Sequence, residues 1–149
     1  VAALPPVFFN NFTLDIGNDV HTPFSTQDFK IALTNTQPDV ATDVEFADIV
    51  EISATNGYTA GGNTCPFGSW SQVNGKATLF LQDPANFVAT GGSFDEFQWL
   101  VLYNSSAPAG TGLIFYADYG APVTLTDGTP LPVQLDGDKG VWSSQGANI

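Results

Sequence analysis

In WSQVNGKATLFLQ, residues 70–82, Asn74-Gly75 sits between two runs in which apolar and polar residues alternate. That pair in that setting is the strongest short-range hairpin signal, because a type I′ turn takes positive φ at both central positions. The spacing predicts that residues 69–73 and 76–82 pair antiparallel. FKIALTNT (29–36) repeats the alternation, with Phe29, Ile31 and Leu33 on one side, as a half-buried strand does. Within FDEFQWLVLYN (94–104) the run from Trp99 to Tyr103 is almost wholly apolar, which predicts a central strand buried on both faces. NFVAT (86–90) and that strand flank Gly91-Gly92 and read as a second hairpin. LIFYADYG (113–120), PVTLT (122–126), PLPVQLD (130–136) and GVWSS (140–144) follow, punctuated by Asp127-Gly128 and the turn Asp136 to Gly140. DVEFADIVEIS (43–53) fits neither period cleanly. Short strands at this rhythm predict a mainly β fold, an antiparallel β-sandwich of jelly-roll-like kind.

The N-terminal stretch reads differently. In VFFNNFTLDIGNDVH, Phe8, Phe12, Ile16 and Val20 recur at steps of four, one face of a helix. Pro5-Pro6 suits its start, and His21 followed by Pro23 suits its end. The expectation is a short amphipathic helix in an arm of residues 1–24, followed by one β-sandwich domain over residues 25–149. Phe9 and Leu14 fall off the stripe, so the helix is apolar on more than one face. Val7, Phe8, Phe9 and Phe12 are therefore the proposed anchors for a partner, the alternative being that the helix covers the sandwich's own core.

Charge narrows the function classes. Fifteen acids face three lysines and no arginine, a formal net charge of −12. Nucleic-acid binding needs a basic footprint to displace counterions from phosphate, so no nucleic-acid partner is expected, and no anionic membrane surface either. Cys65 is the only cysteine, so no disulfide forms within the chain.

Several stretches bear on chemistry. NGYTAGGNT (56–64) carries three glycines, as a phosphate-gripping loop would, but Gly62 leads into Asn63-Thr64-Cys65-Pro66 and not into Lys-[Ser/Thr] and a helix. A turn is the better reading. Asp136-Gly137-Asp138 resembles the opening of a calcium loop, yet the twelfth position, where a Glu would close it, is Ala147. No metal is expected there, with weak calcium binding through Asp136 and Asp138 left as the alternative. Asp95-Glu96 are adjacent and point apart in a strand, which does not suit a glycosidase pair. His21 and Cys65 carry no local signature of a catalytic dyad, and two such residues are too few for structural zinc. No catalytic residue and no cofactor are assigned. Trp70, Trp99 and Trp142 suit a β-sandwich core, with Trp70, beside turn residues, the exception that would stack on a glycan.

The order of these segments resembles a family of small virion proteins of tailed bacteriophages. The matching positions are a helix at the N-terminus, Lys30–Leu33, Gly57–Gly62, Leu100–Asn104, Asp118–Gly120 and Leu125–Gly128, within a likeness covering roughly residues 7–142. The resemblance implies a non-enzymatic structural protein, most simply a capsid decoration or cement protein on the outer capsid surface. Its implied partners are the major capsid protein and itself, as a homotrimer at threefold or quasi-threefold positions. A tail or fibre component binding host glycan is the alternative, and a secreted β-sandwich lectin the second.

Overall fold

Asn74 and Gly75 take φ values of 50° and 82°, so the hairpin closes through two left-handed residues. It joins Phe67–Val73 to Lys76–Leu81 in antiparallel register, with Val73 opposite Lys76 and Trp70 opposite Leu79. The computed structural model describes residues 5–144. In chain order its strands are β1 (Val7–Phe8), β2 (Phe29–Thr34), β3 (Asn63–Thr64), β4 (Phe67–Val73), β5 (Lys76–Leu81), β6 (Phe87–Val88), β7 (Phe97–Asn104), β8 (Leu113–Val123), β9 (Pro130–Leu131) and β10 (Trp142–Ser143). Among the described residues there is one α-helix, α1 (Phe12–Gly17), with 3-10 turns at Phe24–Thr26 and Phe46–Asp48. None of these helices is long and apolar enough to cross a membrane.

The fold is mainly β, and its sheets are antiparallel. A five-stranded sheet has the order β1-β8-β7-β2-β3, a three-stranded sheet β10-β5-β4, and β6 pairs with β9. Alternation along β2 and β7 gives the larger sheet two buried faces. Phe29, Ile31, Leu33, Leu100 and Leu102 share one cluster with Leu79 and Leu81 of β5, which packs the two sheets in sandwich-like layers of five and three strands. Ala32, Val101 and Tyr103 point the other way and are covered by Phe9, Ile49, Val40 and Phe46. The ring of Phe46 lies flat on Tyr103, with centroids 3.9 Å apart. β7 is thus a central strand buried on both sides, as its apolar run requires.

Two expectations need correction. The helix spans only Phe12–Gly17, and Val7–Phe8 instead forms an edge strand opposite Tyr116 and Phe115 of β8. The backbone N–H of Phe9 extends that pairing by donating to Ile114 O (3.0 Å). Unpaired strand N–H and C=O groups on β8 are a stronger local demand than a helical stripe that Gly17 already weakens. Gly91-Gly92 is a turn but not a hairpin: Phe87–Val88 pairs with Leu131 and Pro130, not with β7. Residues 1–4 of the arm and Ala147 of the calcium-loop comparison lie outside the described residues.

Gly62 and Gly75 both have positive φ but sit in opposite surroundings. A Cβ on Gly62 would lie 1.8 Å from Ile31 O, whereas nothing stands within 4 Å of one on Gly75. Gly75→Ala should therefore cost only the left-handed strain, about 1–2 kcal/mol. Gly62→Ala should cost more than about 4 kcal/mol, because backbone must part from backbone. Urea unfolding of the two variants, compared with the parent chain, checks this contrast.

Candidate functional site

The four proposed anchors are not a common surface. Phe9 and Phe12 are buried, Phe8 is half-buried, and Val7 alone is open, at 43% exposure. As contacts offered to a partner, Phe9 and Phe12 are unavailable, because this chain's own sheet and helix already enclose them. Phe9 meets Tyr116 edge-on, on the face that carries Val101 and Tyr103.

Phe8 and Phe12 belong to a continuous string of rings. Phe115 meets Phe8 at 5.5 Å, Phe8 meets Phe12 at 5.4 Å, and Phe12 meets Trp142 at 5.4 Å. Trp142 stacks on Trp70 at 6.0 Å and 7°, Trp70 touches Phe24 at 4.8 Å, and Phe24 meets Phe29 at 6.3 Å. The stack follows from register: Trp142 and Trp70 both lie opposite Leu79, one from each side, so their rings close over it. Trp70 is the outermost member, 42% exposed. Beside it is a cleft of about 570 Å³ lined by Asp19, Thr22, Phe24, Ser25 and Phe67. A partly exposed indole next to a carboxylate and hydroxyls is a surface against which a planar or saccharide-like group can rest. Trp99, by contrast, packs at the margin of the second core cluster.

A buried polar cluster ties the N-terminal segment down. Asp15 at the middle of α1 and His21 just beyond it are both buried, and Asp15 Oδ2 accepts from Gly112 N (3.2 Å). The Asn104 side-chain amide donates to Gln27 Oε1 (2.9 Å) and lies 3.2 Å from Val20 O and 3.4 Å from His21 Nδ1. Its Oδ1 accepts from Ser106 N (2.9 Å). If Nδ1 accepts from Asn104, the imidazole proton sits on Nε2, a tautomer inferred from its partners. Nε2 is 3.9 Å from Asp15 Oδ2 and has no hydrogen-bond partner. Burial lowers the His21 pKa to about 4 and raises that of Asp15. His21 is therefore neutral near pH 7, and its contact with Asp15 is not an ion pair. At 0% exposure, the imidazole has no access to a substrate.

The glycine-rich loop holds a carboxylate of its own chain. Glu51 Oε1 accepts from Gly61 N and from the Tyr58 hydroxyl, both at 2.6 Å. The Tyr58 oxygen in turn accepts from Leu33 N (3.0 Å), and the Tyr103 hydroxyl donates to Gly61 O (2.8 Å). Burial and the bond to Glu51 raise the Tyr58 pKa. The loop's amides are used internally, as the turn reading requires. Asp136 Oδ1 likewise accepts from Asp138 N (2.9 Å) and Lys139 N (2.7 Å), which holds its carboxyl below the usual range. Among the described residues, no three His, Cys, Asp or Glu side chains converge as metal ligands. Asp95 and Glu96 lie in a loop and not in a strand, receiving bonds from Ser53 N and Asn35 Nδ2. Cys65 is buried, and burial with Asp83 nearby pushes its thiol up to about 12, so it stays protonated.

Sequence reasoning passed over Glu51 and Asn104. Asn104 had a signal: a polar residue ending an apolar strand run, where burial demands partners. Glu51 had none, since its partners come from residues Tyr58 and Gly61 in a loop whose path is set by tertiary packing.

His21 yields a pH prediction. In the unfolded chain it takes up a proton near pH 6.5, in the folded chain only near 4, so stability falls as pH drops through that window. Asp15, with its raised pKa, acts in the opposite direction at the acid end. In chemical denaturation, the stability advantage of the parent over His21→Asn should shrink by about 2–3 kcal/mol between pH 7 and pH 4.5. An advantage independent of pH would show that His21 titrates normally.

Comparison with family models, with curated proteins and with solved structures finds no match to this chain.

Proposed function

We propose that this chain is a non-enzymatic structural protein of a tailed-phage virion, a decoration protein on the outer capsid surface that bridges major capsid subunits. The reading rests on the ordered resemblance of the N-terminal helix and five further segments, and one observation on those five supports it. Each matching segment is spent on scaffold. Lys30–Leu33 lies in β2, Leu100–Asn104 in β7 and Asp118–Gly120 in β8, three neighbouring strands. Gly57–Gly62 is bonded to β2 and β7 through Tyr58 and Tyr103. In Leu125–Gly128, Gly128 N donates to Ala89 O, and Asp127 Oδ1 accepts from Gly91 N. Segments used to build a rigid body, on a chain of net charge −12 that stays soluble before assembly, suit a part whose task is to occupy a surface.

Cryo-electron microscopy of the intact particle tests the proposal. The expected result is ordered density of this fold repeated symmetrically over the capsid. A bare capsid, with the chain on the tail or absent, would overturn it.

The exposed Trp70 favours a second reading, a tail or fibre component that binds host glycan. On that reading, saccharide binding measured by calorimetry or array falls at least tenfold in Trp70→Ala, the loss of about 1.4 kcal/mol that one stacked ring supplies. Equal binding by parent and variant would remove it.

A further inference from the structure

The unusual surface feature of this chain is β4. Every residue from Gly68 to Val73 is exposed, and β4 is the terminal strand of its sheet. The register shows which backbone groups face outward. β5 directs Ala77 O and Leu79 O toward the other side, where they accept from Ser144 N and Val141 N (both 2.9 Å). Thr78 therefore bonds toward β4, opposite Ser71, and Lys76 does so opposite Val73. The intervening residues, Trp70 and Gln72, turn their N–H and C=O away from β5. Neither finds a backbone partner among the described residues.

Natural edges are usually blunted by charge, proline or a covering segment. At β2 and β8 that is so. The outer side of β2 is met by β3, by Cys65 N donating to Phe29 O and by Ile52 N donating to Leu33 O. The far end of β8, beyond its pairing with β1, carries Asp118 and Pro122. FGSWSQV has neither a charge nor a proline. Its one irregularity is the register shift between Phe67 and Ser69, and the turn Phe24–Thr26 packs near it with Phe24 against Trp70, while the strand's residues from Gly68 to Val73 stay exposed. In a chain of net charge −12, two copies repel one another over most of their surface. A neutral strip with free backbone donors and acceptors is where they can meet.

We propose that β4 pairs antiparallel with β4 of a second copy of this chain, about a twofold axis at Ser71. In that register Trp70 of each copy lies opposite Gln72 of the other, and both pairs exchange two backbone hydrogen bonds. Ser71 meets its counterpart as the non-hydrogen-bonded pair, where side chains come closest and a small residue fits. Ser69 lies opposite Val73, so both exposed apolar residues of the strand, Trp70 and Val73, fall within the interface. The two three-stranded sheets become one sheet of six. Strand addition of this kind takes its affinity from main-chain bonds. The pairing is independent of where the protein resides, and it gives self-association a twofold where the phage resemblance implies a threefold.

The test is light scattering coupled to size exclusion on the parent, Ser71→Lys, Ser71→Glu and an equimolar mixture of the two variants. The parent should be a dimer and each variant alone a monomer, because like charges face each other across the axis. The mixture should return to a dimer, because Lys then faces Glu. Gln72→Pro, which removes an outward N–H and leaves every bond to β5, should also be monomeric. Residues 71 and 72 are exposed, so unchanged circular dichroism spectra are expected for all variants. A monomeric or trimeric parent, a Ser71→Lys variant that stays dimeric, or a mixture that stays monomeric would each overturn the proposal. Any of these would leave the capsid reading standing, since that reading is decided by density on the particle.

Discussion

The contact on which much else depends is the stack of Trp142 on Trp70 over Leu79. A three-stranded sheet with two-residue β10 at one edge has little face of its own, and such a unit holds only when packed on something larger. Through Trp142 the string of rings runs to Phe12, Phe8 and Phe115 on one side, and through Trp70 to Phe24 and Phe29 on the other. Both routes end on strands of the five-stranded sheet. Each ring pair adds about 0.5–1.5 kcal/mol beyond the area it buries. The N-terminal segment is thus a clamp between sheets rather than an arm held out to a partner.

The same logic governs the polar groups. Asp15, His21 and Asn104 are buried where α1, the segment leading into β2, and the end of β7 converge, and buried polar groups there must find one another. Glu51 does for the glycine loop what a bound anion would do elsewhere: it accepts from Gly61 N and holds the loop against β2 and β7. The glycine-rich loop and His21, which look like ligand sites in the linear chain, are closed by the chain itself, while Trp70 stays exposed.

How much of this was legible in the sequence depended on the range of the interaction that decides it. The Asn74-Gly75 hairpin and the doubly buried β7 follow from local chemistry and a local apolar run, and both are present. The steps of four from Phe8 to Val20 put Phe12 in an apolar stripe but gave neither the conformation nor the fact that the chain's own core takes the ring, because Phe8 reaches Phe12 equally well from an edge strand. Gly91-Gly92 announced a turn without naming the partner. The choice of β9 over β7 is made by a contact some forty residues away, which no local pattern encodes. Trp70 stood out beside turn residues and is the exposed member of the three tryptophans' set, while the pairing of Asn104 with Val20 and Gln27 spans most of the chain.

Amide hydrogen exchange of the chain alone, read residue by residue, tests the clamp most directly. The amides of Phe9, Phe12 and Val20, bonded to Ile114 O, Phe9 O and Asp15 O, should exchange as slowly as those within β7 and β8. Exchange at those positions as fast as at the exposed Asn74-Gly75 turn would show that the N-terminal segment opens independently. The aromatic string would then not be what joins the two sheets.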